Sequence, residues 1–187
     1  MQSLINLLTP EEYLQLEQTS EIRHEYLGGQ VFAMSGGSKE HNTISLNIAS
    51  RLRSHLRGSS CSVFMADMKV NIELAKGNKN IFYYPDVIVS CHRDEQDRFC
   101  LNYPCLIIEV LSPSTEATDR REKLINYQSL ASLQEYVLVS QKGIKVEVYR
   151  QDSEGNWSLT VLGKDDSLQL NSLGLTLTMA DIYEDVF

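Results

Sequence analysis

A carboxylate in the middle of an apolar run is the first feature of this 187-residue chain that demands a physical reason. Glu109 lies within Cys105-Leu106-Ile107-Ile108-Glu109-Val110-Leu111, a run that reads as a strand buried on both faces. An ionised carboxylate there costs on the order of several kcal/mol unless a cation, a proton or several hydrogen-bond donors answer it. Asp86 follows Pro85 at the entrance of the preceding strand, where proline gives up only one ladder hydrogen bond. A short charged connection, His92 to Arg98, makes the two strands antiparallel neighbours. Two carboxylates on adjacent strands can converge on one hard cation, which takes oxygen ligands and keeps several waters. The plainer alternative is that each carboxylate pairs with a lysine or arginine. Asp119 and Lys123 stand at i and i+4 with the acid first, the spacing of an ordinary helix pair worth roughly 0.2–0.5 kcal/mol.

Elements that could position these groups follow from periodicity and punctuation. Thr9-Pro10-Glu11-Glu12 is a helix start, with Thr9 as cap and proline in the first turn; the helix ends near Gln18. Glu25 to Met34 reads as a hairpin turning at Gly28-Gly29. Ser35-Gly36-Gly37-Ser38 is a loop. His41 to Leu56 carries Ile44, Ile48, Leu52 and Leu56 at intervals of four, which gives one apolar stripe, and Gly58 ends it. Strands are expected over Cys61–Leu74, Phe82–Ser90, Cys105–Leu111, Glu135–Val139, Ile144–Tyr149, Trp157–Leu162 and Leu168–Leu177, with a polar turn at Lys76–Asn80. Thr115 to Ala131 reads as a helix carrying Leu124, Tyr127, Leu130 and Ala131.

Composition sets the bounds. The length suits one domain, residues 1–187, able to bury a core without disulfides or structural metal. No stretch approaches the ~18 consecutive apolar residues of a membrane span. The N-terminus has neither a basic leader nor a small-residue cleavage site, which points to the cytoplasm. Four cysteines, Cys61, Cys91, Cys100 and Cys105, lack zinc-ligand spacing and are expected as free thiols, with Cys105 packing as a small hydrophobe. A net charge of −8 counts against binding nucleic acid over a broad surface. Charge is uneven, however: from His41 to Ala66 there is no carboxylate, whereas Arg51, Arg53 and Arg57 fall there.

Pro85-Asp86, then Glu109-Val110-Leu111 and a downstream Lys123, resembles the signature of the PD-(D/E)XK nucleases. More narrowly, Glu109-Val110-Leu111-Ser112-Pro113-Ser114-Thr115 followed by Asp119, Lys123 and Tyr127 is similar to the Uma-type restriction-endonuclease family, and most of the chain fits it. The position two after Glu109, where the superfamily places its lysine, is Leu111, so the resemblance assigns that task to Lys123 on the following helix. It implies an α/β, restriction-endonuclease-like fold: a mixed sheet flanked by helices, with additional strands at both ends. It also implies Mg²⁺- or Mn²⁺-dependent hydrolysis of phosphodiester bonds, in DNA rather than RNA, and a homodimer is expected because cutting both strands takes two active sites. Asp86, Glu109, the Val110 carbonyl and Glu25 would hold the ion, and Asp86, Glu109 and Lys123 would be catalytic. His41, Tyr127 and Asp119 would touch substrate or orient a ligand. The rivals are a nuclease-fold binding or scaffold protein without activity, and a phosphoesterase on small nucleotides.

Overall fold

Thr9 caps α1 (Pro10–Thr19): its hydroxyl accepts from the Glu12 amide, and the Glu12 carboxylate takes the Thr9 N–H. The helix turns Tyr13 and Glu17 inward. In this computed structural model, residues 7–74, 79–93 and 95–187 are described. The expected polar turn at Lys76–Asn80 lies mostly outside them.

A hairpin follows, β1 (His24–Leu27) and β2 (Gln30–Ala33), whose turn places Gly28 and Gly29 at φ of 56° and 100°, where a side chain would be strained. Helix α2 (Lys39–His55) is capped by Ser38 and buries Ile44, Ile48, Ala49 and Leu52, the stripe read from the sequence.

The strands sort into three sheets. β3 (Ser62–Met65), β6 (Val87–Ser90), β8 (Pro104–Leu111), β9 (Glu135–Ser140), β10 (Val146–Gln151) and β11 (Trp157–Leu162) form one, in the order β11-β10-β9-β8-β6-β3. It is mixed: β8 and β9 run parallel, the other neighbours antiparallel. β4 (Lys69–Leu74), β5 (Lys79–Tyr83) and β7 (Cys100–Leu101) join the hairpin in a second sheet, β2-β1-β5-β4-β7. β12 (Ser167–Leu170) and β13 (Leu175–Thr178) pair alone and lead into α5 (Met179–Ile182).

Alternation along β8 explains why it is apolar throughout. Leu106, Ile108 and Val110 face a core shared with α2 and α5, whereas Ile107 and Leu111 face a core shared with Val70, Ile72 and Tyr83 of the second sheet. Period two places Glu109 on this second side, between Ile107 and Leu111. After β8 come α3 (Glu116–Thr118), a π-helical segment Asp119–Lys123 and α4 (Leu124–Tyr127), one continuous turn of chain over that side. No helix among the described residues is long and apolar enough to cross a membrane.

Several expectations need correction. Phe82–Ser90 is not one strand, because the chain leaves the second sheet after Tyr83 and enters the first at Val87. Pro85 supplies no ladder N–H at that crossing. Cys61–Leu74 likewise breaks at Ala66, which takes φ 47°, so β3 and β4 belong to different sheets. Leu168–Leu177 is a hairpin, and the helix expected from Thr115 to Ala131 spans only 116–127. The cysteines are not all free: Cys61 is bonded to Cys91, while Cys100 and Cys105 remain buried thiols. The reason is register. β3 and β6 pair antiparallel with Ser62 opposite Ser90, which brings the next residue outward on each strand face to face.

Thiol titration of the denatured, unreduced protein should therefore count two reactive cysteines, and four after reduction. Four without reductant would refute the pairing.

Candidate active site

Lys123 is buried, 4% exposed, and its ammonium faces three carboxylates: Glu25 Oε1 at 2.9 Å, Glu109 Oε1 at 3.2 Å and Asp119 Oδ1 at 3.4 Å. Each acid comes from a different element. Glu25 stands on β1, Glu109 on β8, and Asp119 opens the π-helical segment that Lys123 closes. The i,i+4 spacing that reads as a solvated helix pair is here an interior one, because the strand beneath contributes Glu109. π-helical turns are rare and recur at functional sites.

Asp86 sits in the crossing between the sheets, just before β6. The register pairs Val87 with Ile108, so Asp86 and Glu109 come from neighbouring strand positions. The Val110 N–H donates to Asp86 Oδ2 at 2.6 Å, and His41 Nε2 approaches the same oxygen at 3.1 Å. Tyr127 donates to Glu109 Oε1 at 3.0 Å, the oxygen Lys123 also holds. Each of the two carboxylates thus has one oxygen fixed by the protein. Asp86 Oδ1 has no hydrogen bond among the described residues. Glu109 Oε2 meets only the Asp86 N–H, at 3.4 Å. Seven of the residues singled out in the sequence, Glu25, His41, Asp86, Glu109, Asp119, Lys123 and Tyr127, are thereby gathered. Val110 joins through its N–H.

Six of these residues, Glu25, His41, Asp86, Glu109, Asp119 and Lys123, line a cavity of about 230 Å³. The wall also holds Tyr84, Phe32 and Met34, which the sequence did not single out, and Ser112, Ser114 and Thr115, which stood there only within the family string. The one available signal was Gly36-Gly37. A Cβ on Gly37 would lie 2.8 Å from His41 Nδ1, so glycine there lets the imidazole reach Asp86.

Burial pushes the Glu109 carboxyl well above the usual carboxylate range, with Asp119, Asp86 and Glu25 adding to the rise and Lys123 opposing it. Burial raises Asp119 in the same way. Burial alone would pull the Lys123 ammonium down, but Glu109, Glu25 and Asp119 hold it well above lysine's normal value. The hydrogen bond to Asp86 raises His41, against the effect of its own burial.

The residues suit a hard divalent cation. Four carboxylates share the cavity with a single ammonium, so ionising all of them leaves an excess of negative charge even with His41 protonated. Asp119 Oδ1 is buried without a hydrogen bond, in ion-pair contact with Lys123 only. Among the described residues no three His, Cys, Asp or Glu side chains form a ready-made metal cage. Mg²⁺ does not need one, since it binds through one or two carboxylates and keeps its waters.

The family model that matches this chain is Uma2, described as "Putative restriction endonuclease", over residues 10–180. The uncharacterized protein slr1290 of Synechocystis is 40% identical over 177 residues, 94% of this chain and 91% of its own. A second Synechocystis protein, sll1609, is 30% identical over 159 residues, 83% of this chain and 88% of its own. The crystal structure of "a putative nuclease belonging to DUF820" from Anabaena variabilis superposes with a TM-score of 0.77 at 20% identity, covering 96% of this chain and 99% of that one. At that identity it establishes the fold.

The acid excess has a measurable sign. A carboxylate whose pKa is raised by folding binds its proton more tightly in the folded state. Its contribution is complete below the unfolded value of 4.5 and is lost as pH climbs towards the folded one. In EDTA, Glu109→Gln should therefore gain urea resistance over wild type as pH rises from 5 to 8. Lys123→Met should lose about 3–5 kcal/mol at pH 8, because it strands buried charge, and less at pH 5. A pH-independent difference between wild type and Glu109→Gln would refute the charge assignment.

Proposed function

The chain belongs to the Uma2 restriction-endonuclease family, and on that premise we propose that it is a divalent-metal-dependent endonuclease that hydrolyses phosphodiester bonds in DNA. The observation that carries this reading is the pairing of Asp86 with Glu109. Both are pinned through one oxygen and both retain another for a ligand, and the buried Lys123 ammonium stands against Glu109.

Asp86, Glu109 and the Val110 carbonyl would hold Mg²⁺ or Mn²⁺, with Glu25 completing the set. When bound, the ion polarises the scissile phosphate and lowers the pKa of a water. The protein's own groups do the rest. Val110 N–H and His41 fix the orientation of Asp86, and Tyr127 fixes Glu109, so that neither carboxylate must be ordered at the moment of reaction. Lys123 keeps its charge throughout the physiological range and offers it to the attacking water or to the charge that develops on phosphorus. Leu111, in the position of the superfamily lysine, is 4% exposed and packs in the core below the site, which leaves Lys123 as the ammonium at hand.

The reading extends to one nuclease domain over residues 1–187, acting in the cytoplasm as a homodimer, since cutting both strands of a duplex takes two such sites. A second reading, a nuclease-fold binding protein without activity, draws support from the net charge of −8 and from the close acid cage around Lys123.

Supercoiled plasmid incubated with the protein in Mg²⁺ or Mn²⁺ should be nicked or linearised. EDTA should stop the reaction, and Glu109→Gln should slow it at least a hundredfold or so, the scale of losing one transition-state stabiliser. Cleavage in neither metal, or equal cleavage by Glu109→Gln, would refute the catalytic reading and leave the binding protein.

A further inference from the structure

Tyr84 stands between the acid-lined cavity and a second one. Its backbone N–H approaches Glu25 Oε1 at 3.5 Å on the first side. Its hydroxyl, at the far end of the ring, donates to Glu17 Oε2 at 2.6 Å within a cavity of about 310 Å³. That volume lies at the small end of ligand sites and suits a single ring system rather than a helix.

Lys69, at the start of β4, lines this second cavity. It is 7% exposed, forms no ion pair among the described residues, and makes one hydrogen bond, to the Tyr84 hydroxyl at 3.3 Å. Tyr84 has committed its only proton to Glu17, so it accepts from Lys69, whose ammonium also lies over the Tyr84 ring and finds no other hydrogen-bond acceptor among the described residues. Glu17 receives Tyr84 and, at 2.8 Å, meets His24, and makes no hydrogen bond or ion pair with the Lys69 ammonium among the described residues. Burial pulls the Lys69 ammonium below its usual range. A buried donor left unspent is costly, and here it borders empty space of ligand size.

The walls decide what fits. Glu17, Asp67 and Asp97 outnumber Lys69 and Arg23, and Arg23 is taken up with Asp67 at 3.4 Å, so a phosphate is repelled. A neutral planar ring is not. Phe99, 64% exposed, offers an aromatic face at the rim, while the Tyr84 ring is buried with Lys69 lying over it. Asp97 Oδ1 accepts the Phe99 N–H at 2.7 Å, which orients its carboxylate at the same rim. Guanine matches both edges: O6 and N7 accept from lysine, while N1–H and the 2-amino group donate to a carboxylate.

We propose that this cavity receives a guanine base of the nucleic-acid substrate, drawn out of its stack next to the phosphate at Asp86 and Glu109. Its role in selecting a cleavage site rests on the nuclease reading above; the binding of the base does not. Enzymes that do chemistry on a nucleobase extrude it into a fitted pocket, where its edge and its face are read together, and this cavity would use the same device for recognition.

Guanosine, which carries no phosphate, separates the two questions. By equilibrium dialysis without metal, wild type should bind guanosine roughly tenfold more tightly than adenosine, cytidine or thymidine. Lys69→Met should abolish that preference. Phe99→Ala, an exposed change that spares the core, should weaken guanosine binding about tenfold. Equal binding of all four nucleosides by wild type, a preference that survives Lys69→Met, or unchanged affinity in Phe99→Ala would each overturn the proposal. Selective guanosine binding by a protein that cuts no plasmid would uphold the pocket and remove the nuclease. Plasmid cleavage by a protein indifferent to the base would do the reverse.

Discussion

One ammonium holds the centre of this molecule. Lys123 reaches Glu25, Glu109 and Asp119 at once, and these belong to the N-terminal hairpin, the central strand of the larger sheet and the helical segment that covers it. No apolar contact could replace it without stranding acids, since breaking a buried pair costs more than forming one gains. The hairpin, β8 and the π-helical segment are therefore docked by electrostatics at this point, beside a core to which Leu27 of the hairpin and Ile107 and Leu111 of β8 contribute. This is a poor way to gain stability and a good way to fix geometry.

The crossing at Tyr84-Pro85-Asp86 has a comparable standing. Because the chain passes there from one sheet to the other, the residues in it belong to neither ladder and face the seam between the layers. Asp86 is directed to one cavity and the Tyr84 hydroxyl to another. Had residues 82–90 formed one strand, alternation would have placed Asp86 in a pleat, and no seam would exist for it to line.

How much of this could be read in advance depended on whether a residue's own neighbours in sequence betray it. Glu109 betrayed itself by standing in an apolar run, and Asp86 by following a proline next to a β-branched strand. The stripe of α2 and the Gly28-Gly29 turn were equally plain, being local patterns. Asp119 and Lys123 were misleading, since their spacing is that of a surface pair and only the strand beneath makes them interior. The split of two expected strands between sheets was hidden because an apolar run does not record which ladder it joins. The Cys61–Cys91 bond depended on strand register, and Lys69 on a cavity assembled from α1, β4 and the approach to β7.

The π-helical segment carries a further consequence, one of chain length. Such a turn amounts to a helix accommodating an additional residue. Deleting one residue between Asp119 and Lys123 would return the segment to α geometry, removing the bulge that sets these two side chains and leaving the helix after it in phase. Tyr127 would keep its place beside Glu109, and the change would fall on the spacing of Asp119 and Lys123, with no substitution having occurred. Surface loops absorb changes of length at little cost. In this segment the number of residues is itself part of the site, and relatives that share the chemistry should vary in length elsewhere.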